Sequence, residues 1–239
     1  VSDVFPHAQL VDNAQLAKLL DSDQAAVAFH AARALAGAKP VENKNTREAV
    51  SQALRRTAAD ANAEFVIRKG AVEALGHRKD ARSVPLLVDL LSQTRPDLRF
   101  FAAEALGRIG KPALTTLLAK DVISPYGIEA IGQIGDPNAT QRVADMLGDE
   151  RYHRQERTII KALGRLGGPK ATAALIDVLN GPSKWLAVSA AEALGQIGTP
   201  QAVEALQARR QLEQKAPKDQ RHNHLIWKIG QVLNRIRRR

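Results

Sequence analysis

AAEALGRIGKPAL, residues 102–114, returns almost letter for letter as AAEALGQIGTPQA at 190–202. Self-similarity of this kind marks a chain built from stacked units, so the period has to be found before anything else is read. Aligning the small residue after Ala-Leu, or its equivalent, gives anchors at Ala36, Gly76, Gly107, Gly132, Gly164, Gly195 and Gly230, at spacings of 40, 31, 25, 32, 31 and 35 residues. The stretches IRKGAVEALG (67–76), LRFFAAEALG (98–107), ISPYGIEAIG (123–132), QERTIIKALG (155–164) and LAVSAAEALG (186–195) align without a gap.

Each unit holds two apolar stretches at helical spacing separated by a turn, as in SVPLLVDLL (83–91) followed by LRFFAAEALGRI (98–109). That pattern predicts a helical hairpin. No segment alternates with period two, so no strand is expected and the fold class is all-α. The turns between units support the same reading. GDP (135–137) and GTP (198–200) place Gly where a helix ends in the left-handed conformation, Asp or Thr as N-cap, and Pro at the first helical position. Gly107, Gly164 and Gly195 stand inside a helix, where glycine costs about 1 kcal/mol against alanine. Close approach of neighbouring helices is the expected compensation.

Composition agrees with an alanine- and leucine-rich helical chain: 239 residues, 44% hydrophobic, yet only five Phe, two Trp and two Tyr. With no cysteine, disulfides, thiolate metal ligands and thiol nucleophiles are excluded. No apolar run approaches the roughly 20 residues that span a bilayer, and the expected location is cytoplasmic. The chain begins at Val1 rather than Met, which is compatible with a removed leader or a larger parent chain.

The second-helix pattern resembles HEAT repeats, specifically the short phycobilin-lyase-like kind. Their second helix reads Val-Arg-x-x-Ala-Ala-x-Ala-Leu-Gly, followed by Ile-Gly-Asp-Pro. The match covers residues 24–239. Arg68 and Arg99 occupy the motif's arginine, whereas Ala28, Ser124, Glu156, Ala187 and His222 replace it elsewhere. The resemblance implies a right-handed α–α superhelix, a solenoid of about seven hairpins in a single repeat domain spanning 1–239. The approximate units are 12–37, 46–77, 80–110, 112–135, 137–167, 169–198 and 200–239. First helices would lie on the convex side and second helices would line a concave groove.

On a helical wheel, positions ten, seven and three residues before each anchor point away from the apolar arc. They would therefore face the groove. Seven before the anchor stand Phe29, Lys69, Phe100, Pro125, Arg157, Val188 and Asn223; three before it stand Arg33, Glu73, Glu104, Glu129, Lys161, Glu192 and Trp227. Ten before it stand, among others, Arg154 and Trp185, and Arg221 stands nine before the last anchor. Arg154, Arg157 and Lys161 are expected on one helix face. Lys69 and Glu73 are expected to form an i, i+4 pair. Phe101 and Tyr126 are expected in the core. Aromatic and arginine side chains dominate interface energetics, so the candidate partner-binding residues are Lys69, Arg99, Phe100, Arg154, Arg157, Lys161, Trp185, Arg221 and Trp227.

The net charge of +10 is concentrated late in the chain, and the terminal NRIRRR (234–239) suits the negative end of a helix dipole. A basic face attracts anions. No HExxH, GxSxG or phosphate-cradling GxxxxGK[ST] motif occurs. None of the six histidines is followed by glutamate, which disfavours the iron-dependent helical-repeat hydroxylases and their His-Glu pairs. The expected function is a non-enzymatic scaffold or adaptor, monomeric or part of a heteromeric complex, that binds a protein with an acidic surface and uses no cofactor. Two alternatives stay open: a phycobilin-lyase-like subunit or chromophore chaperone, and sequence-independent nucleic-acid binding.

Overall fold

The computed structural model describes residues 13–22, 25–37, 44–92, 96–121 and 123–238. Among them are fourteen α-helices and no strand. The first helices of successive hairpins are α1 (Asn13–Leu19), α3 (Lys44–Ala59), α5 (Val84–Leu90), α7 (Lys111–Leu118), α9 (Thr140–Asp145), α11 (Gly168–Asn180) and α13 (Pro200–Lys215). The second helices are α2 (Ala25–Gly37), α4 (Phe65–His77), α6 (Pro96–Ile109), α8 (Pro125–Ile134), α10 (Glu156–Leu166), α12 (Lys184–Ile197) and α14 (Asn223–Arg237). The chain forms two compact units, 1–117 and 118–239. In the first, α2, α4 and α6 pack in succession, and in the second α8, α10, α12 and α14 do the same.

The repeated phrase is the packing element. Ala102, Ala103, Ala105 and Leu106 are buried, as are Ala190, Ala191, Ala193 and Leu194. Full burial of each leucine contributes about 1.5–3 kcal/mol. The anchor glycine permits the next helix to come close. A Cβ built on Gly164 would lie 2.9 Å from the Cβ of Ala193, and one on Gly132 would lie 2.9 Å from the Cα of Ala162. Gly76, Gly132 and Gly164 thus trade local helix propensity for contact between helices.

Turn chemistry sets where each helix starts. Gly198 ends α12 in the left-handed region at φ 67°, and the Thr199 side chain accepts from the Ala202 N–H ahead of α13. Asp136 caps a short 3-10 turn in the same way, accepting from the Asn138 N–H at 2.9 Å. Ser124 caps α8, whose first residue is Pro125, so the proline opens this helix and does not kink it. The stretch AKPVENKNTRE (38–48) reads from its composition as an exposed loop, but α3 already begins at Lys44. Asp12, which the sequence DNAQLAKLL (12–20) suggests as the cap of the first helix, and residues 38–43 lie outside the described residues.

Two elements depart from the repeat. After Gly76 the sequence is HRKD where four other units have an Ile-Gly or Leu-Gly pair. Arg78 therefore occupies the place held elsewhere by Ile109, Ile134, Leu166 and Ile197. It is buried, and its three guanidinium nitrogens make no hydrogen bond. Burial, and then the neighbouring Arg47 charge, lower its pKa. Lys79 takes the left-handed position at φ 51° that glycine fills in the other units.

The second departure is in the fifth hairpin, where α9 and α10 are separated by two 3-10 turns, Met146–Gly148 and Glu150–Gln155. Tyr152 on the latter is fully buried and accepts the Ile123 N–H at 3.0 Å. The motif arginine Arg68 is buried and donates from Nε to the Ala58 carbonyl at 3.2 Å, joining α4 to the end of α3.

A basic cleft across α10, α12 and α14

Within the second unit, the stacked second helices leave an open cleft of about 770 Å³ lined by Arg157, Lys161, Ser189, Glu192, Gln196 and Arg235, among others. A continuation along α12 and α14 shares Glu192 and Arg235 and adds Lys228, Gln231 and Arg238. Five cations therefore face one carboxylate. Lys228 Nζ reaches the Glu192 Oε1 at 2.5 Å, so that carboxylate is already neutralised. Arg157, Lys161 and Arg235 make no ion pair among the described residues.

The row three residues before each anchor shows how this excess arises. Glu129 on α8 faces Arg165 on α10 at 3.9 Å, and Glu192 on α12 faces Lys228 on α14. On α10 the same position carries Lys161, and one turn earlier stands Arg157. Two like charges at i, i+4 on a helix destabilise it by roughly 0.2–0.5 kcal/mol. Nothing described in the chain offsets them.

Trp227 stands on α14 next to the cleft-lining Lys228 and is not itself part of the lining. It is 54% exposed, and the His224 ring stacks on it at 5.8 Å with an interplanar angle of 24°. Lys228 Nζ sits 5.6 Å from the Trp227 ring centre, which links the indole to the Lys228–Glu192 bridge. The α13–α14 loop fixes this corner. Arg221 Nε donates to the Ala216 carbonyl at 2.7 Å, and the His222 N–H donates to Glu213, which also accepts from Arg209. Burial lowers the His222 pKa, partly opposed by Glu213.

The other sequence candidates are dispersed. Arg154 does not share a helix face with Arg157 and Lys161, because α10 begins at Glu156 and Arg154 belongs to the preceding 3-10 turn. Arg221 lies in the loop before α14, half-buried and committed to its own backbone contact. Trp185, in the first turn of α12, is 77% exposed and outside the cleft lining. In the first unit, Lys69 pairs with Glu73 at 3.9 Å, as its spacing predicts, and lies 4.4 Å over the Phe101 ring. Phe100 is exposed, with its ring edge-on to Phe101. Arg99 is half-buried and engaged within the chain.

Val188, expected to face outward, is buried, while Phe101 and Tyr126 are half-buried. The side chain of Phe29 is outside the described residues. Arg235 and Lys228 were missed by the sequence reading. The available signal was the run Lys228, Gln231 and Arg235, which shares one face of α14 at intervals of three and four residues, with Arg238 three further on at its C-cap.

Paired helices stacked through glycine and alanine define an α-helical repeat protein. The chain belongs to the HEAT-repeat family, whose profile, HEAT repeats, matches residues 53–122, 126–191 and 156–218. A 46-residue segment is 50% identical to human deoxyhypusine hydroxylase, covering 18% of this chain and 15% of that protein. Among solved structures, the CpcE–CpcF complex of phycocyanin lyase from a Nostoc species is similar at 18% identity, with 95% of each chain covered and a TM-score of 0.48. Human deoxyhypusine hydroxylase in complex with glycerol is similar at 18% identity, over 95% of this chain and 85% of that one, with a TM-score of 0.42. Among the described residues no helix is long and apolar enough to cross a membrane.

Proposed function

We propose that this protein is a non-enzymatic HEAT-repeat scaffold whose second unit binds an acidic segment of a partner protein in the cleft between α10, α12 and α14. One observation carries the reading: Arg157, Lys161 and Arg235 line one cleft without an ion pair, while its single carboxylate is bridged by Lys228. Unanswered cations attract an anionic surface and steer its approach, and a partner carboxylate gains charge-assisted hydrogen bonds there.

A fluorescein-labelled decaglutamate peptide tests the reading by anisotropy at two salt concentrations. Binding should weaken as salt rises, since exposed charges are screened, and Arg157→Glu combined with Lys161→Glu should abolish it while the helical circular dichroism is retained. Binding that survives the double charge reversal places the acidic site elsewhere. Duplex DNA that displaces the peptide at stoichiometric concentration would favour the nucleic-acid reading.

A further inference from the structure

The row across the second unit reads Glu129, Lys161, Glu192 and Trp227, one residue from each of α8, α10, α12 and α14. Two of the four are answered within the chain, by Arg165 and Lys228. The two left open differ in chemistry: Lys161 is a cation and Trp227 is a large aromatic. Trp227 is held on one side by His224 and by the cation of Lys228, while more than half of its surface faces solvent. A fixed indole offers a large contact area at little entropy cost, the property that makes tryptophan a frequent binding hot spot.

Resting on the acidic-cleft reading, we propose that Trp227 and His224 form an apolar subsite for the same partner segment, so that the segment recognised is bipartite. It carries carboxylates for Arg157 and Lys161 and an aromatic or large aliphatic side chain for Trp227. Packed helices lie about 8–10 Å apart, so Lys161 and Trp227, two helices apart, are separated by roughly 20 Å. An extended chain covers about 3.3 Å per residue. The acidic and apolar parts of an extended segment are therefore about six residues apart. The neutralised Glu192–Lys228 bridge lies under the spacer, where a polar, uncharged stretch passes without repulsion.

Four labelled peptides test this on the full chain by anisotropy: a Glu-Glu-Glu block and a Leu separated by six Gly/Ser residues, the same peptide with Leu replaced by Gly, and versions with spacers of two or twelve. The six-residue peptide is expected to bind about tenfold more tightly than the Leu-to-Gly peptide. Trp227→Ala should erase that ratio and leave the Leu-to-Gly affinity unchanged; His224→Ala should reduce it in part. Trp227 is half exposed, so both variants should keep their helical signal.

Equal affinity of the Leu and Gly peptides, independence of spacer length, or preference for the twelve-residue spacer overturns the bipartite site and leaves the acidic cleft standing. A ratio that persists in Trp227→Ala does the same. Binding of neither peptide, or no loss on Arg157→Glu with Lys161→Glu, overturns the cleft reading and the subsite together. Tighter binding of single-stranded oligo-dT than of the six-residue peptide also overturns the proposal, since it assigns the indole to base stacking.

Discussion

Gly164→Ala and Gly230→Ala make the same chemical change inside two helices of the same unit, and the structure demands opposite outcomes. Removing a helix-interior glycine gains about 1 kcal/mol from backbone entropy at either site. At Gly230 the new methyl meets only the guanidinium of Arg210 at 3.7 Å, an ordinary contact. The gain is therefore retained. At Gly164 the methyl would sit 2.9 Å from Ala193 Cβ and 3.1 Å from its Cα, well inside the roughly 3.5–4.0 Å optimum for carbon pairs. The obstacle is another helix, so α10 and α12 must part. Overpacking of this kind costs about 1–3 kcal/mol. Taking the upper half of that range and subtracting the propensity gain leaves a net loss of about 1–2 kcal/mol. For a chain of this size 1 kcal/mol moves Tm by about 2–4 °C. Melting followed by circular dichroism should show Gly230→Ala raised by a few degrees and Gly164→Ala lowered by roughly 2–8 °C. Adding Ala193→Gly to Gly164→Ala should restore much of the loss, giving a coupling of about 2 kcal/mol in a double-mutant cycle. If Gly164→Ala stabilises as Gly230→Ala does, or the double mutant is additive, close helix approach is not the reason for the glycine.

Three further outcomes follow from other sites. Arg78→Met should stabilise the protein by about 1–4 kcal/mol in urea titration, because it replaces a buried, unpaired guanidinium with an apolar side chain of similar length; destabilisation would show that the guanidinium is satisfied in solution. His222 has a lowered folded pKa, so the unfolded chain takes up the proton first as pH falls below about 6.5. Stability is therefore unaffected by this group above that pH and decreases below it, and the urea midpoint of the wild type should drop more between pH 7.5 and 5.5 than that of His222→Gln. Lys161→Glu restores the row's glutamate beside Arg157 and should raise stability by about 0.3–0.5 kcal/mol while weakening decaglutamate binding; a loss of stability would remove the like-charge argument.

The hairpins, their order and most of their turns were legible because they rest on local chemistry: apolar periodicity, Gly-Asp-Pro and Gly-Thr-Pro stops, and a glycine one turn before them. The site was legible only where helix length matched the alignment. A wheel that counts back ten residues assumes that the helix extends so far. That holds for α12, which starts eleven residues before Gly195, but α10 starts eight before Gly164 and α14 seven before Gly230. Arg154 and Arg221 therefore left the predicted face while Arg157 and Lys161 remained on it. The stretch GDERYHRQ has no apolar period, and its 3-10 turn is dictated by burial of Tyr152 against a backbone N–H contributed 29 residues earlier, a contact without local signal. Arg235 was read as a cation at a helix end. That role fits its position on α14, yet its side chain also lines the cleft.

Stacking and the exposed row draw on different residues of the same phrase, which is why the repeat can be kept while one copy changes. The alanines, leucine and glycine of AAEALG are buried or in helix contact, and altering them changes the fit between neighbours. The glutamate between them lies on the exposed row, where an ion pair is worth only about 0.2–1 kcal/mol. Its replacement by Lys161 therefore costs the stack little, yet it turns a neutral row into an unanswered cation next to Arg157. A change with a small stability cost and a large change in local charge is the kind that a binding surface can accumulate without loss of fold. Trp227 satisfies the same condition at the other end of the row: more than half of it is exposed, so its indole is available for contact without displacing any packing between hairpins.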